Sequence, residues 1–185
     1  MTKIFHGVLF LLSAFALALP GQAGTGGEPS TVPPTIEKSS RNDNSVYVGI
    51  NWNFGVREGA TAVLGYRDAK VKANGNVDGF KIEATWVLSG APMGFGELRA
   101  KYLKGEREVQ GEVGAGFSGA HEAFLLNAGV QGPYINGNLD YLFNKGWLAS
   151  IGVNSLGKVK KPRETLACPA GYTLDVDICV QDIVD

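Results

Sequence analysis

Cysteine, histidine and long apolar runs are all scarce in this sequence, and each scarcity excludes something. Two cysteines and two histidines are too few for a zinc or iron–sulfur ligand set, so no metal or cofactor is expected. Past residue 23 no apolar run approaches the ~18 residues of a membrane-crossing helix. Lys+Arg 17 against Asp+Glu 18 leaves no basic face, and nucleic acid is not an expected partner. The glycines follow no phosphate-cradling pattern, because no Lys-Ser/Thr follows them.

The N-terminus carries what the rest lacks. Lys3 precedes an apolar stretch over residues 8–19 (VLFLLSAFALAL), and Pro20-Gly21-Gln22-Ala23 supplies small residues after it. This is the pattern of a secretory signal cut after about Ala23. Removing residues 1–23 takes away one charge, Lys3, and one histidine, His6. It leaves 162 residues with 16 Lys+Arg, 18 Asp+Glu and His121. Export places Cys168 and Cys179 in an oxidising compartment, where a disulfide is expected. Closing that ten-residue loop (CPAGYTLDVDIC) would stabilise the tail by roughly 3 kcal/mol. Residues 24–44 are Gly, Pro, Ser and charge and read as a flexible leader.

From 45 to 156 the chain is glycine-rich and alternates in eight short segments, 46–54, 60–67, 79–88, 96–103, 108–117, 124–131, 135–143 and 147–154. Side chains of a strand alternate faces. The third segment is the clearest: Phe80, Ile82, Ala84, Trp86 and Leu88 share one face, and Lys81, Glu83 and Thr85 lie on the other. Internal glycines argue against helices, at about 1 kcal/mol each. Turn signals separate the segments at Asn74-Gly75-Asn76, Lys104-Gly105, Gly132-Pro133 and Asn144-Lys145-Gly146. An all-β, eight-stranded antiparallel up-and-down barrel follows.

The apolar face has no charged residue in any segment. If directions alternate, aromatics gather at one end: Trp52, Phe54, Trp86, Phe95, Phe117, Phe124, Tyr141, Phe143 and Trp147, with Tyr66, Phe80 and Tyr102 at the other. The polar face carries Arg67, Lys81, Arg99 and Lys101 against Glu83, Glu97, Glu108, Glu112 and Asp140. A two-residue turn at Lys104-Gly105 would set Lys101 opposite Glu108, and the preceding hairpin would bring Glu83 near Arg99 or Lys101. Two aromatic girdles around an aliphatic band, with ionic groups on the opposite face, are the pattern of a barrel whose greasy side meets lipid.

In strand count, alternation, charged interior and signal, the chain resembles the small outer-membrane β-barrels of the OmpA/OmpX type over about residues 45–156. The resemblance implies a Gram-negative outer-membrane protein, surrounded by lipid, with a structural or interaction role in the envelope. Two other functions share the pattern: a narrow, porin-like pore for small solutes, and a soluble, lipocalin-like periplasmic barrel holding an apolar ligand. After the barrel, residues 157–165 (GKVKKPRET) read as a basic linker. Leu174, Val176, Ile178 and Val180 then alternate as one short strand, which could dock a periplasmic protein. Chemistry is not expected. Ser118, His121 and Glu122 share one connection, but their spacing enforces no catalytic triad.

Overall fold

The computed structural model describes residues 30–90 and 93–182. The expected signal and its cut, and the leader up to residue 29, lie outside the described residues. Eight antiparallel strands close into a barrel: β3 (Arg41–Gly55), β4 (Gly59–Val71), β5 (Asn76–Val87), β6 (Gly94–Glu106), β7 (Gln110–Ser118), β8 (Ala123–Gln131), β9 (Ile135–Leu142) and β10 (Gly146–Asn154). Each pairs with its sequence neighbour, and β10 returns to β3 through Leu148↔Gly55 to Asn154↔Gly49. Closure leaves β3 no free edge from Gly49 to Gly55, while its lower part, from Arg41, extends past the end of β10. We call the end bearing the β3–β4 turn upper and the end where β3 starts and β10 finishes lower.

The wall is uneven. Strands β3–β6 run 12 to 15 residues, whereas β7–β10 run 8 or 9. The surplus lies at the lower end, where the outward positions turn polar: Asn42, Asn44, Asp68, Lys70, Asp78, Lys104 and Glu106. The β6–β7 hairpin shows the consequence. Its turn is at Arg107-Glu108, with Gly105 still paired to Gln110 and the Glu106 amide donating to the Val109 carbonyl. Lys104-Gly105 therefore lies within a strand, because pairing continues past the last apolar residue and hydropathy alone does not mark its end.

The leader is also more ordered than its composition suggests. β1 (Thr31–Val32) and β2 (Thr35–Ser39) precede the barrel, and β3 already starts at Arg41. Their partners come from the other end of the chain. β2 pairs with β11 (Arg163–Ala167), and β1 pairs with β13 (Ile178–Gln181), which forms a hairpin with β12 (Tyr172–Asp175). Both faces of β2 are exposed, so this strand has no apolar alternation to betray it. The tail thus holds three strands in place of one. The β12–β13 reversal falls at Val176-Asp177, with Val176 at φ 55°, a conformation that a β-branched residue rarely adopts. The Cys168–Cys179 disulfide closes this hairpin.

Between β10 and β11 the chain folds across the lower mouth. The Ser155 amide donates to Val48, the Tyr134 amide to Leu156, and the Val159 amide to Arg107. Val159 packs with Ala69, Val71, Val77 and Leu103, and Leu156 with Tyr47 and Val63. Both are buried. Removing part of this plug leaves a void, so Leu156→Ala is expected to lower stability by about 2–4 kcal/mol. Ile36→Ala on the exposed β2 should stay within ~0.5 kcal/mol. Urea-unfolding midpoints of the two variants check the contrast.

Candidate functional site

The strands sort side chains by chemistry. Outward positions of the upper and central wall carry only apolar residues and glycine: Val46, Val48, Ile50, Trp52 and Phe54 on β3, for example, and Phe124, Leu126, Ala128 and Val130 on β8. They are exposed; Val46 keeps 71% of its surface and Trp52 52%. The eight sequence-predicted interface aromatics Trp52, Phe54, Trp86, Phe117, Phe124, Tyr141, Phe143 and Trp147 all point outward near the upper end. Neighbouring rings meet edge to face, Trp86 with Phe95 at 5.7 Å and Phe117 with Phe124 at 5.5 Å. Tyr66 and Phe80 pair lower down, at 6.2 Å.

Inward positions hold the ions. Five cations, Arg57, Arg67, Lys81, Arg99 and Lys101, and five carboxylates, Asp43, Glu83, Glu97, Glu112 and Asp140, are buried in the lumen. Their formal charges cancel. Arg99 is the hub of the upper cluster. Its Nε reaches both Asp140 oxygens at 3.2 Å, and its Nη2 reaches Asp140 Oδ2 at 2.5 Å and Glu97 Oε2 at 3.5 Å. Asn127 donates to Asp140 at 2.6 Å. Arg57 clamps Glu97 with two parallel hydrogen bonds, 2.8 and 3.1 Å, and the Thr85 hydroxyl donates to the same carboxylate at 2.7 Å. Bidentate geometry of this kind recovers more of the desolvation cost than a single contact.

A second cluster sits below. Lys81 donates to Glu112 at 2.7 Å and Gln131 at 3.1 Å. Lys101 donates to the other Glu112 oxygen at 3.0 Å and to Asn138 at 2.7 Å, and ion-pairs with Glu83. The Tyr47 hydroxyl donates to Glu83 at 2.6 Å, with Lys81 5.1 Å from the Tyr47 ring centroid. That ring lies over its cross-strand partner Gly65, where a Cβ would collide with it. Here the glycine is the vacancy the tyrosine fills. Lower still, Arg67 holds Asp43 at 3.1 Å, and the Lys160 amide closes the mouth onto the same carboxylate at 3.1 Å.

Of the nine charged residues expected inside, Arg67, Lys81, Glu83, Glu97, Arg99, Lys101, Glu112 and Asp140 are buried together. Glu108 is not. It stands on the exposed hairpin turn and pairs with Lys158 at 2.7 Å, whose hydrogen bond and charge hold the Glu108 carboxyl below its ordinary range. Lys101 accordingly finds Glu112 and not Glu108. Three participants escaped the sequence reading. Asp43 lies in the stretch read as leader, Arg57 lies in a turn, and Tyr47 alternates onto the polar face with no charge to mark it as a partner of the ions. Alternation extended three residues before Val46 would have found Asp43; Arg57 carries no such signal.

Beside the upper ions, Ala123, Leu125, Leu142 and Leu148 form an apolar cluster, with Leu148 paired to Asp140 across β9 and β10. Ser118 and His121 do meet, Oγ to Nδ1 at 3.2 Å. Ser118 is fully buried, however, and its hydroxyl also donates to Glu97 at 3.3 Å. It belongs to the lumen network and presents no attacking oxygen to the outer face. The chain matches no family model, no curated protein and no solved structure.

Removing one ion from such a network strands its partners. Arg99→Met is expected to cost about 3–5 kcal/mol, because Asp140 and Glu97 stay buried without it. Adding Asp140→Asn to that variant should recover part of the loss. Equilibrium unfolding of both variants tests this, and equal stability of Arg99→Met and the unaltered protein would contradict the role given to Arg99.

Proposed function

We propose that this chain is an outer-membrane β-barrel protein of a Gram-negative envelope, with a structural or interaction role and no catalysis of its own. One observation carries the reading: the exposed face of the barrel wall is an uninterrupted apolar belt, and the ions are inside. In water this arrangement is inverted, since burying ten ionised groups while exposing some three dozen apolar positions is unfavourable on both counts. In lipid both signs reverse. A spanning sheet must be closed and its lipid face free of charge. A soluble barrel with an apolar ligand would require the opposite orientation, with the apolar face lining the cavity.

The belt spans seven to nine residues per strand, close to the 9–11 of a tilted membrane strand. Rings concentrated at the belt's ends suit the two interfaces. The lower end, with the start of β3, the end of β10 and the polar extension of β3–β6, then faces the periplasm. A plug of Leu156 and Val159 in the lower mouth, an apolar cluster of Ala123, Leu125, Leu142 and Leu148 toward the upper end, and the paired ions that share the lumen favour a solid pin over a pore.

On fractionation the protein should stay with the membranes and need detergent for release. It should also migrate differently in a gel before and after boiling, as closed barrels do. Release into the soluble periplasmic extract would sink the proposal. A mid-belt charge gives an independent check: Leu126→Arg should cost about 2–4 kcal/mol and impair insertion, whereas Glu58→Arg on an exposed upper turn should insert normally. In planar bilayers the unaltered protein should stay electrically silent.

A further inference from the structure

We propose a binding site for one phosphoethanolamine headgroup on the lower outer wall at β5–β6, with its phosphate on Lys104, its ammonium on Glu106 and its acyl chains lying upward along Tyr102 and Phe80. This rests on the membrane reading above and adds a ligand to it.

The outward residues of β6 run Leu98, Ala100, Tyr102, Lys104 and Glu106 toward the lower end. Apolar wall, ring, cation and carboxylate thus succeed one another in the order in which a zwitterionic lipid presents acyl chains, phosphate and ammonium. The other extended strands do not repeat it. Toward the lower end β3 reads Val46, Asn44 and Asn42, β4 reads Tyr66, Asp68 and Lys70, and β5 reads Phe80, Asp78 and Asn76. Register aligns the neighbours: Phe80 pairs with Tyr102, Asp78 with Lys104 and Asn76 with Glu106. The two exposed rings therefore stand side by side at the lower border of the belt, where interfacial aromatics sit. Successive outward residues are about 7 Å apart along a strand, and flexible lysine and glutamate side chains can close on a shorter ligand.

A cavity of about 240 Å³ opens at this level, lined by Lys72, Asn76, Asp78, Lys104, Gly105 and Glu106. Its formal charges cancel, two against two. Lys72 and Asp78 are ion-paired, and the Tyr102 hydroxyl donates to Asp78 at 3.5 Å. Lys104 and Glu106 are exposed and have no ion-pair partner among the described residues. One free cation and one free carboxylate thus line the same hollow directly beneath the rings. Cations alone would attract any anionic headgroup. Here the carboxylates offset that attraction, and Glu106 offers an ammonium a partner. Phosphatidylglycerol answers Lys104 and leaves Glu106 facing a neutral glycerol; phosphatidylethanolamine answers both.

The test uses the whole protein in nanodiscs of mixed phosphatidylethanolamine and phosphatidylglycerol, followed by native mass spectrometry. One phosphatidylethanolamine should remain bound in preference to phosphatidylglycerol. Lys104→Gln should lower its retention about fivefold, the worth of one cation beside a headgroup. Glu106→Gln should cut the preference for phosphatidylethanolamine by a similar factor while a lipid is still held. Exchanging the pair, Lys104→Glu with Glu106→Lys, keeps the net charge and reverses its order, and should abolish the preference. Glu58→Gln, on an upper turn, should leave retention unchanged. Equal retention of the two lipids by the unaltered protein, or a preference that survives the exchange, overturns the proposal. Heat-shifted migration is scored first on every variant. A chain that never enters the nanodisc as a closed barrel overturns the membrane reading itself, whereas one that enters and holds no lipid overturns the site alone.

Discussion

Everything in this barrel depends on the neutrality of its interior. Five cations and five carboxylates occupy a space just wide enough for side chains, and each ion is tolerable there because others satisfy it. Arg99 between Asp140 and Glu97, and Glu112 between Lys81 and Lys101, are the two knots. Once the ions are bound to one another, the alternation of a strand leaves the opposite face free to be wholly apolar. The outward belt is thus the complement of the inner network, and neither can be altered without consequence for the other.

The same constraint explains what could be read from the sequence. Eight strands, their faces and most of the inner ions were legible because a two-residue period with charge on one side and grease on the other is a strong signal. Legibility failed where the contrast fades. Below the belt both faces are polar, so Asn42, Asp43 and Asn44 resemble a leader, and Lys104-Gly105 resembles a turn. Glu108 was misplaced for that reason: counting from a turn set three residues early keeps the alternation but moves the reversal. Arg57 reaches Glu97 from a loop, and no periodicity announces that. The strands β1, β2 and β11 exist through partners more than a hundred residues away, which no local pattern specifies.

Those distant partners change how the termini should be viewed. The tail contributes Leu156 and Val159 to the lumen, a backbone amide to Asp43, and a strand to β2. It is a structural member of the barrel's lower end. The knob beyond it, with Val176 held at a positive φ on an exposed tip, is set apart from the wall by its own disulfide.

Thr31 pairs with Val180, and β3 with β10, so the described part of the chain begins and ends side by side. Within the barrel, each remaining junction is a short hairpin between neighbours. Topologically the molecule is a ring cut at one place. A chain joined between Thr31 and Val180 and opened at an upper hairpin, such as Asn144-Lys145, would keep the barrel's strand pairings. The order of synthesis is then separable from the architecture, and what the present cut adds is a clasp that comes together only after the last strand has been made.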